Sequence, residues 1–151
     1  MLGCGNPFAG DDAVGLHVVQ ALKEGELPAG VNVVEAGTPG LNLLDFWEGY
    51  DRVVVVDAVW AELPPGTVRF FSPEDLEKRL AFPVSQHGFN VADALELGRL
   101  LGRLPRYLIF LGIVVRECVP FRVGLSREVE AAVPLACAVL RAEVARLLEL
   151  P

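Results

Sequence analysis

The chain is poor in several features that mark common protein classes. It has only three cysteines in 151 residues and no C-x-x-C pair, which argues against a disulfide framework or a thiolate zinc site. Basic residues number 13 against 20 acidic ones, so the net charge of −7 disfavours a nucleic-acid partner. The apolar runs 53–56 and 107–115 are far shorter than the roughly 20 residues that cross a bilayer, and no basic-then-apolar targeting segment is visible. We therefore expect a cytoplasmic protein without membrane insertion.

What the sequence does contain predicts one α/β domain over residues 1–151. Hydrophobic residues make up 52% of the chain and charged residues 22%, which favours a packed globule. Strand-like and helix-like segments alternate, which is typical of a mostly parallel sheet with helices on both faces, a three-layer α/β/α arrangement. The connection before 67–71 is too short for a helical crossover, so this strand should run antiparallel. The predicted strands are 1–4, 31–35, 52–58, 67–71 and 107–115, and the predicted helices are 12–24, 41–48, 73–80, 90–101 and 126–148, the last interrupted or kinked at Pro134.

The first polar stretch that a core would not need is 3–12, a glycine-rich turn between strand and helix. It ends in Asp11 and Asp12 at the start of the predicted helix. One of these aspartates is explained as an N-cap that satisfies free backbone N–H groups. The other remains unexplained by capping and should face a cleft. Cys4, in the same stretch, is interpreted as a small apolar residue at the end of a strand.

Two further polar stretches predict a partner for that aspartate. Asp57 follows the buried valines 53–56, and a carboxylate at the carboxyl end of a central strand is costly unless it is paired or binds a metal. His87 lies in the loop 85–90, ahead of a predicted helix. If strands 1–4 and 52–58 are parallel neighbours, Asp12 and Asp57 face each other and the loop covers them. Two carboxylates and an imidazole would suit a divalent metal in an open, transient or catalytic site.

These stretches, in their order and spacing, resemble the hydrogenase maturation proteases. The resemblance covers nearly the whole chain and rests on four short segments, which are Gly3-Cys4-Gly5-Asn6 with Asp11-Asp12 and Gly15, Glu35-Ala36-Gly37-Thr38-Pro39-Gly40, Val56-Asp57-Ala58 and Ser85-Gln86-His87. It implies a mixed five-stranded sheet with one antiparallel strand between layers of helices, of the phosphorylase/hydrolase-like type. Members of the family cleave the C-terminal extension from the precursor of a [NiFe]-hydrogenase large subunit after nickel has been inserted.

The resemblance also implies roles for individual residues. Asp12, Asp57 and His87 would be the catalytic and metal-contacting residues, and the family often has glutamate where this chain has Asp12. Nickel would be supplied transiently by the substrate, although another divalent metal could bind in vitro. Either the nickel only positions the scissile bond or it acts as a Lewis acid. The residues expected to shape the cleft are Gly5, Asn6, Asp11, Glu35, Gly37 and Thr38.

Three alternatives compete with this interpretation. A nucleotide-binding module would use the turn 3–10 for phosphate, but Phe8 stands where the third glycine of G-x-G-x-x-G belongs and two aspartates follow. Peptidyl-tRNA hydrolase shares the G-x-G-N-P turn but needs a basic face. A non-catalytic, nickel-sensing assembly factor would use the same ligands as the protease, so the sequence does not separate these two.

Overall fold

The computed structural model describes residues 1–79 and 91–151, in which a mixed five-stranded sheet is the central layer. Its strand order is β2-β1-β3-β5-β4, and all neighbours are parallel except β4 and β5, which pair antiparallel. The predicted fold class and the antiparallel strand are therefore confirmed. The strands are β1 (Leu2–Cys4), β2 (Val34–Gly37), β3 (Arg52–Val59), β4 (Val68–Phe71) and β5 (Tyr107–Val114).

Five α-helices and two short 3-10 turns surround the sheet in the described part of the chain. The 3-10 turns are Gly10–Ala13 and Gly40–Asn42, and each leads directly into an α-helix. The helices are α1 (Val14–Lys23), α2 (Leu43–Trp47), α3 (Pro73–Arg79), α4 (Val91–Leu100) and α5 (Arg127–Leu148). Across residues 1–79 and 91–151, none of these helices has the length and apolarity needed to cross a bilayer.

Helices cover both faces of the sheet, because the central strand β3 sends alternate valines in opposite directions. Val54 and Val56 pack with side chains of α1 and α5, whereas Val53 and Val55 pack with α2, α3 and α4. All four valines are buried, as the sequence predicted. Each fully buried valine contributes roughly 1.5–3 kcal/mol. The three-layer arrangement thus follows from a strand that is apolar on both sides.

Two predicted elements differ from the structure at the amino end of the chain. The second strand was expected at 31–35 but begins at Val34, where Leu2 of β1 supplies its first pairing partner. The first helix was expected from residue 12, but residues 10–13 form a 3-10 turn and α1 begins only at Val14. Local apolar pattern does not distinguish these two helical forms, which differ mainly in their hydrogen bonding.

The interior face of α5 was also partly mispredicted. The spacing of Val133, Cys137, Leu140, Val144 and Leu148 in the sequence predicts these residues as the apolar stripe of the helix. Leu140 and Val144 are buried as expected, but Leu148 is exposed and Leu147 is buried instead. The sheet side of the helix is lined near its start by small residues, Ala132 and Ala136, which an apolar stripe of large residues does not reveal. The helix continues through Pro134, which lies on the exposed side, so the predicted alternative of a new start there is wrong.

Candidate active site

The turn after β1 is held against the start of the first helical segment by its glycines. The N–H of Gly5 donates to the carbonyl of Gly37, 2.8 Å away, which joins the ends of β1 and β2. Gly5 has a φ of 141°, and a Cβ at this position would overlap the carbonyl oxygen of Asp12. Only glycine allows the turn to approach the 3-10 turn so closely. Gly5 and Gly37 therefore shape this edge of the sheet through their backbones.

A second close approach sets where α1 meets the sheet. A Cβ on Gly15 would overlap the carbonyl oxygens of Cys4 and Val56. The first turn of α1 therefore lies directly on the carboxyl ends of β1 and β3. This contact brings Asp12, just before the helix, towards Asp57, just after Val56.

Asp12 turns its carboxylate back towards the glycine-rich turn. Its Oδ2 accepts a hydrogen bond from the N–H of Asn6 at 2.8 Å, and its Oδ1 lies 3.9 Å from the Sγ of Cys118. Burial raises the pKa of Asp12 above its usual value, although these two hydrogen bonds work in the opposite direction. Asn6 in turn accepts from the N–H of Phe8 through its Oδ1, at 2.9 Å, which fixes the turn.

Asp57 is partly buried at the end of β3, and its Oδ1 accepts from the N–H of Ala58 at 2.8 Å. Burial is the main cause that raises the pKa of Asp57 well above its usual range, and the negative charge of Asp12 adds to it. The structure thus brings Asp12 and Asp57 together, as their places at neighbouring strand ends predicted. The described residues supply neither carboxylate with an ion-pair partner and contain no cluster of three or more metal-ligating side chains. The third predicted ligand, His87, lies outside those residues.

Asp11 has a different environment from its neighbour. Its side chain is only 6% exposed, and its two oxygens accept from the N–H of Ser126 at 2.6 Å and from the Ser126 hydroxyl at 2.8 Å. It therefore fastens the 3-10 turn to the start of α5. The side chains of Asp11 and Asp12 make no capping bond to the helix that they precede, so the predicted N-cap is wrong. The cause is that both carboxylates have partners elsewhere.

Cys118 is a neighbour of the site that the sequence did not indicate. It is a free, partly buried cysteine in the loop after β5. Burial and the negative charges of Asp12, Asp11 and Asp57 raise the pKa of its thiol to about 12. Its position depends on a contact across 106 residues of sequence, which no local pattern reports. Cys4 is buried at the end of β1 and the pKa of its thiol is raised well above its usual value, chiefly by burial, as expected of an apolar core residue.

The remaining predicted cleft residues lie on β2 and just after it. The carboxylate of Glu35 binds the Nζ of Lys23 at 2.9 Å and the Nε2 of Gln20 at 3.0 Å, so it ties β2 to the end of α1. These two hydrogen bonds lower the pKa of Glu35. Thr38 is exposed just beyond Gly37. The contacts of Glu35 are thus structural, in contrast with those of Asp12.

Cavities lie at both edges of the sheet. One of about 530 Å³ is at the carboxyl edge, where its walls are formed by the segments that follow β3 and β5. Its lining includes Trp60, Leu63, Pro65, Val115 and Arg116. Another, of about 240 Å³, lies at the opposite edge and includes Met1 and Arg52 in its lining. Since Asp12 and Asp57 are at the carboxyl edge, this edge is the candidate active site, in agreement with the rule for parallel sheets.

Comparison with known proteins identifies the family of this chain. The family model for hydrogenase maturation proteases matches residues 16–143. The chain belongs to the hydrogenase maturation protease family. Like other members it is an endopeptidase, and therefore a hydrolase.

Individual relatives agree over nearly the full length of the protease. It is 30% identical over 135 residues to the hydrogenase 2 maturation protease of Escherichia coli, with 88% of this chain and 82% of the relative covered. It is also 30% identical over 150 residues to a putative hydrogenase maturation protease of Methanocaldococcus jannaschii, covering 95% and 94% of the two chains.

Solved structures match as well. The hydrogenase-maturating endopeptidase HybD of Escherichia coli superposes with a TM-score of 0.81 at 28% identity, covering 96% of this chain and 90% of that one. HybD of Thermococcus kodakarensis gives a TM-score of 0.69 at 32% identity, covering 92% and 93%. These likenesses confirm the predicted family and fold, and they favour an enzyme over the non-catalytic and nucleotide-binding alternatives.

Proposed function

We propose that this protease recognises nickel already inserted in the precursor of a [NiFe]-hydrogenase large subunit and then removes the precursor's C-terminal extension. The observation that carries the proposal is the pair formed by Asp12 and Asp57. Two partly buried carboxylates lie close together, and the pKa of each is raised. A divalent cation brought to this pair would replace repulsion by attraction and offset the loss of hydration.

The donor set suits a cation of intermediate softness. Asp12 and Asp57 supply oxygen ligands. His87, which the family resemblance implies as the third ligand, would supply an imidazole nitrogen. Such a mixed set suits nickel and leaves coordination positions for the ligands that the precursor itself provides. Nickel is therefore part of the substrate and is bound transiently, and another divalent metal could take its place in vitro.

Asp12, Asp57 and His87 are proposed as the catalytic residues because they would contact the metal next to the scissile bond. If nickel only positions that bond, precursors loaded with nickel, cobalt or zinc should be cleaved at similar rates once bound. If the metal polarises the scissile carbonyl or a water molecule, the rates should follow its Lewis acidity. Cleavage of the three metal-loaded precursors under single-turnover conditions separates the two roles.

The proposed place of action is the cytoplasm. The three cysteines, Cys4, Cys118 and Cys137, are all free thiols. Thiols stay reduced in a cytosolic environment without the oxidising machinery of secretion. The proposed partner, a precursor that has just received nickel, would be met there.

The test is a cleavage assay on purified precursor, loaded with nickel or free of it. Wild-type protease should shorten only the nickel-loaded precursor, and the Asp57→Asn and His87→Ala variants should leave it intact. Glu35→Gln, which alters a carboxylate engaged with α1, is the matched control and should cleave normally. Equal cleavage of both precursors would refute nickel recognition. Full activity of Asp57→Asn would refute the assigned site.

A further inference from the structure

Two loops beside the candidate active site are joined by backbone hydrogen bonds. The N–H of Gly10 donates to the carbonyl of Arg122 at 2.9 Å, and the N–H of Arg122 donates to the carbonyl of Phe8 at 3.1 Å. A parallel bridge between Ala9 and Arg122 completes the junction. The turn after β1 and the loop before α5 therefore form one connected surface.

Three large apolar side chains project from this surface into solvent. Phe8 is 63% exposed, Phe121 98% and Val123 77%. We call these three residues the apolar rim. Apolar side chains gathered on one exposed surface and bordered by charges commonly mark the place where another protein binds. Because Phe121 is almost fully exposed, packing inside this chain does not account for the ring.

The backbone at the tip of the rim is strained. Phe121 has a φ of 61°, and among the described residues it is the one non-glycine residue with a positive φ. An aromatic residue in this region is a genuine outlier, and backbone strain of this kind is found mainly at functional sites. The adjacent residue Arg122 is held by both backbone hydrogen bonds of the junction. The strained tip is thus fixed in place.

The charge of the loop is opposite to that of the whole chain. The loop between β5 and α5, residues 115–126, contains Arg116 and Arg122 against a single acidic residue, Glu117, which leaves a net charge of two minus one, or +1. The whole chain carries −7. A surface that complements the apolar rim should therefore be apolar and bordered by carboxylates.

The rim is continuous with the carboxylate pair. Cys118, in the same loop, lies against Asp12, and Asp11 holds Ser126 at the end of that loop. A protein seated on the rim would consequently be placed beside Asp12 and Asp57. We propose that the apolar rim docks the folded large-subunit precursor, through an apolar area of the precursor bordered by carboxylates. This inference rests on the proposed function and adds to it a surface that selects the client protein.

The test measures the affinity of the protease for purified nickel-loaded precursor, together with its cleavage. The variants are Phe121→Gly, and a double variant Phe8→Ser with Val123→Ser. Glycine accepts a positive φ without strain, so Phe121→Gly should not lower the melting temperature. Leu100→Ser is the matched control, since Leu100 has the same exposed fraction as Val123, 77%, but lies on α4.

We expect both rim variants to weaken binding roughly tenfold or more, as is common when aromatic contacts in an interface are removed. The KM for cleavage should rise in parallel while kcat stays unchanged, and Leu100→Ser should match the wild type. Arg122→Gln should reduce the dependence of the association rate on salt. Light scattering on the wild type and the variants reports self-association in the same samples.

The outcomes separate the rim from the proposed function. If the wild type binds the precursor without cleaving it, and the rim variants bind it more weakly, the rim is supported and the protease activity on this client is refuted. Normal nickel-dependent cleavage with unchanged affinity in both rim variants would refute the rim and leave the proposed function standing. If the rim only joins two copies of the chain, the wild type forms dimers, the variants do not, and precursor binding is unaltered. That result also overturns the inference.

Discussion

The two ends of helix α1 (Val14–Lys23) hold carboxylates in opposite electrostatic environments. At its beginning, Asp12 lies close to Asp57, and the pKa of each is raised, chiefly by burial. At its end, the exposed Glu35 binds Lys23 and Gln20, and its pKa is lowered. The negative charges at the beginning of α1 are therefore destabilised by burial. The negative charge near its end is stabilised by hydrogen bonds and an ion pair.

This difference shows which acidic residues are available for chemistry. A satisfied carboxylate such as Glu35 has little to gain from a further cation. The pair at the other end gains both neutralisation and a replacement for lost water when a cation arrives. Strongly perturbed pKa values in a cleft mark candidate functional residues for this reason.

The largest effect is expected from removing one charge of the pair. Asp57→Asn should lower nickel-dependent cleavage by at least about 100-fold, because even outer-shell partners of a metal ligand contribute 10–100-fold. The Oδ1 of asparagine still accepts from the N–H of Ala58, so the fold should persist. Single-turnover cleavage rates and circular dichroism check both statements. If Glu35→Gln lost as much activity, the contrast between the two ends would have no functional meaning.

Asp57→Asn should raise the stability of the protein at neutral pH, although it lowers the activity. Because the pKa of Asp57 is higher in the folded state than in the unfolded state, the folded state keeps the proton of Asp57 up to a higher pH. The free energy of unfolding should therefore fall as pH rises through this window, from about pH 4 upward. Asp57→Asn lacks this loss and should be more stable than the wild type at neutral pH.

Urea unfolding of both proteins from about pH 4 to about pH 8 measures this effect together with the electrostatic coupling between Asp57 and Asp12, because titrating groups away from the pair contribute equally to both proteins. The difference in stability should grow with pH and then level off. A difference that shrinks towards neutral pH would mean that the ionised form of Asp57 is stabilised, contrary to its environment.

A loss of stability is expected where both oxygens of a carboxylate accept hydrogen bonds, as they do in Asp11. Asp11→Ala should lower the free energy of unfolding by about 1–3 kcal/mol, because it leaves the N–H and hydroxyl of Ser126 without their acceptor. Ser126→Ala removes only the hydroxyl donor and should cost about 1 kcal/mol. Thermal or urea unfolding measures both. Equal stability of Asp11→Ala and wild type would show that the junction with α5 is not needed for folding.

The smallest effect is expected at the end of α1. Glu35→Gln should change the free energy of unfolding by less than about 1 kcal/mol, since both partners of the Lys23 ion pair are well exposed. The change should shrink further at high salt. A larger loss that persists in salt would mean that β2 depends on this pair, and the two ends would then differ less than the pKa values indicate.

The sequence predicted the convergence of Asp12 and Asp57 because parallel neighbouring strands end at the same edge. It also predicted the buried valines of β3, because four in succession can only be satisfied by burial on both faces. It missed the contact of Cys118 with Asp12 and the bond of Asp11 to Ser126, since both join loops more than 100 residues apart. His87 lies outside the described residues, so its place beside the pair stays a prediction.

The central claim is that the pair formed by Asp12 and Asp57 recognises the precursor's nickel, and binding tests it most directly. The affinity of immobilised protease for nickel-loaded and nickel-free precursor should be measured on ice, before cleavage proceeds, for wild type and Asp57→Asn. We predict that wild type binds the nickel-loaded form at least about tenfold more tightly, a difference of about 1.4 kcal/mol, and that Asp57→Asn binds both forms alike. A variant that keeps the full preference for nickel would contradict the account.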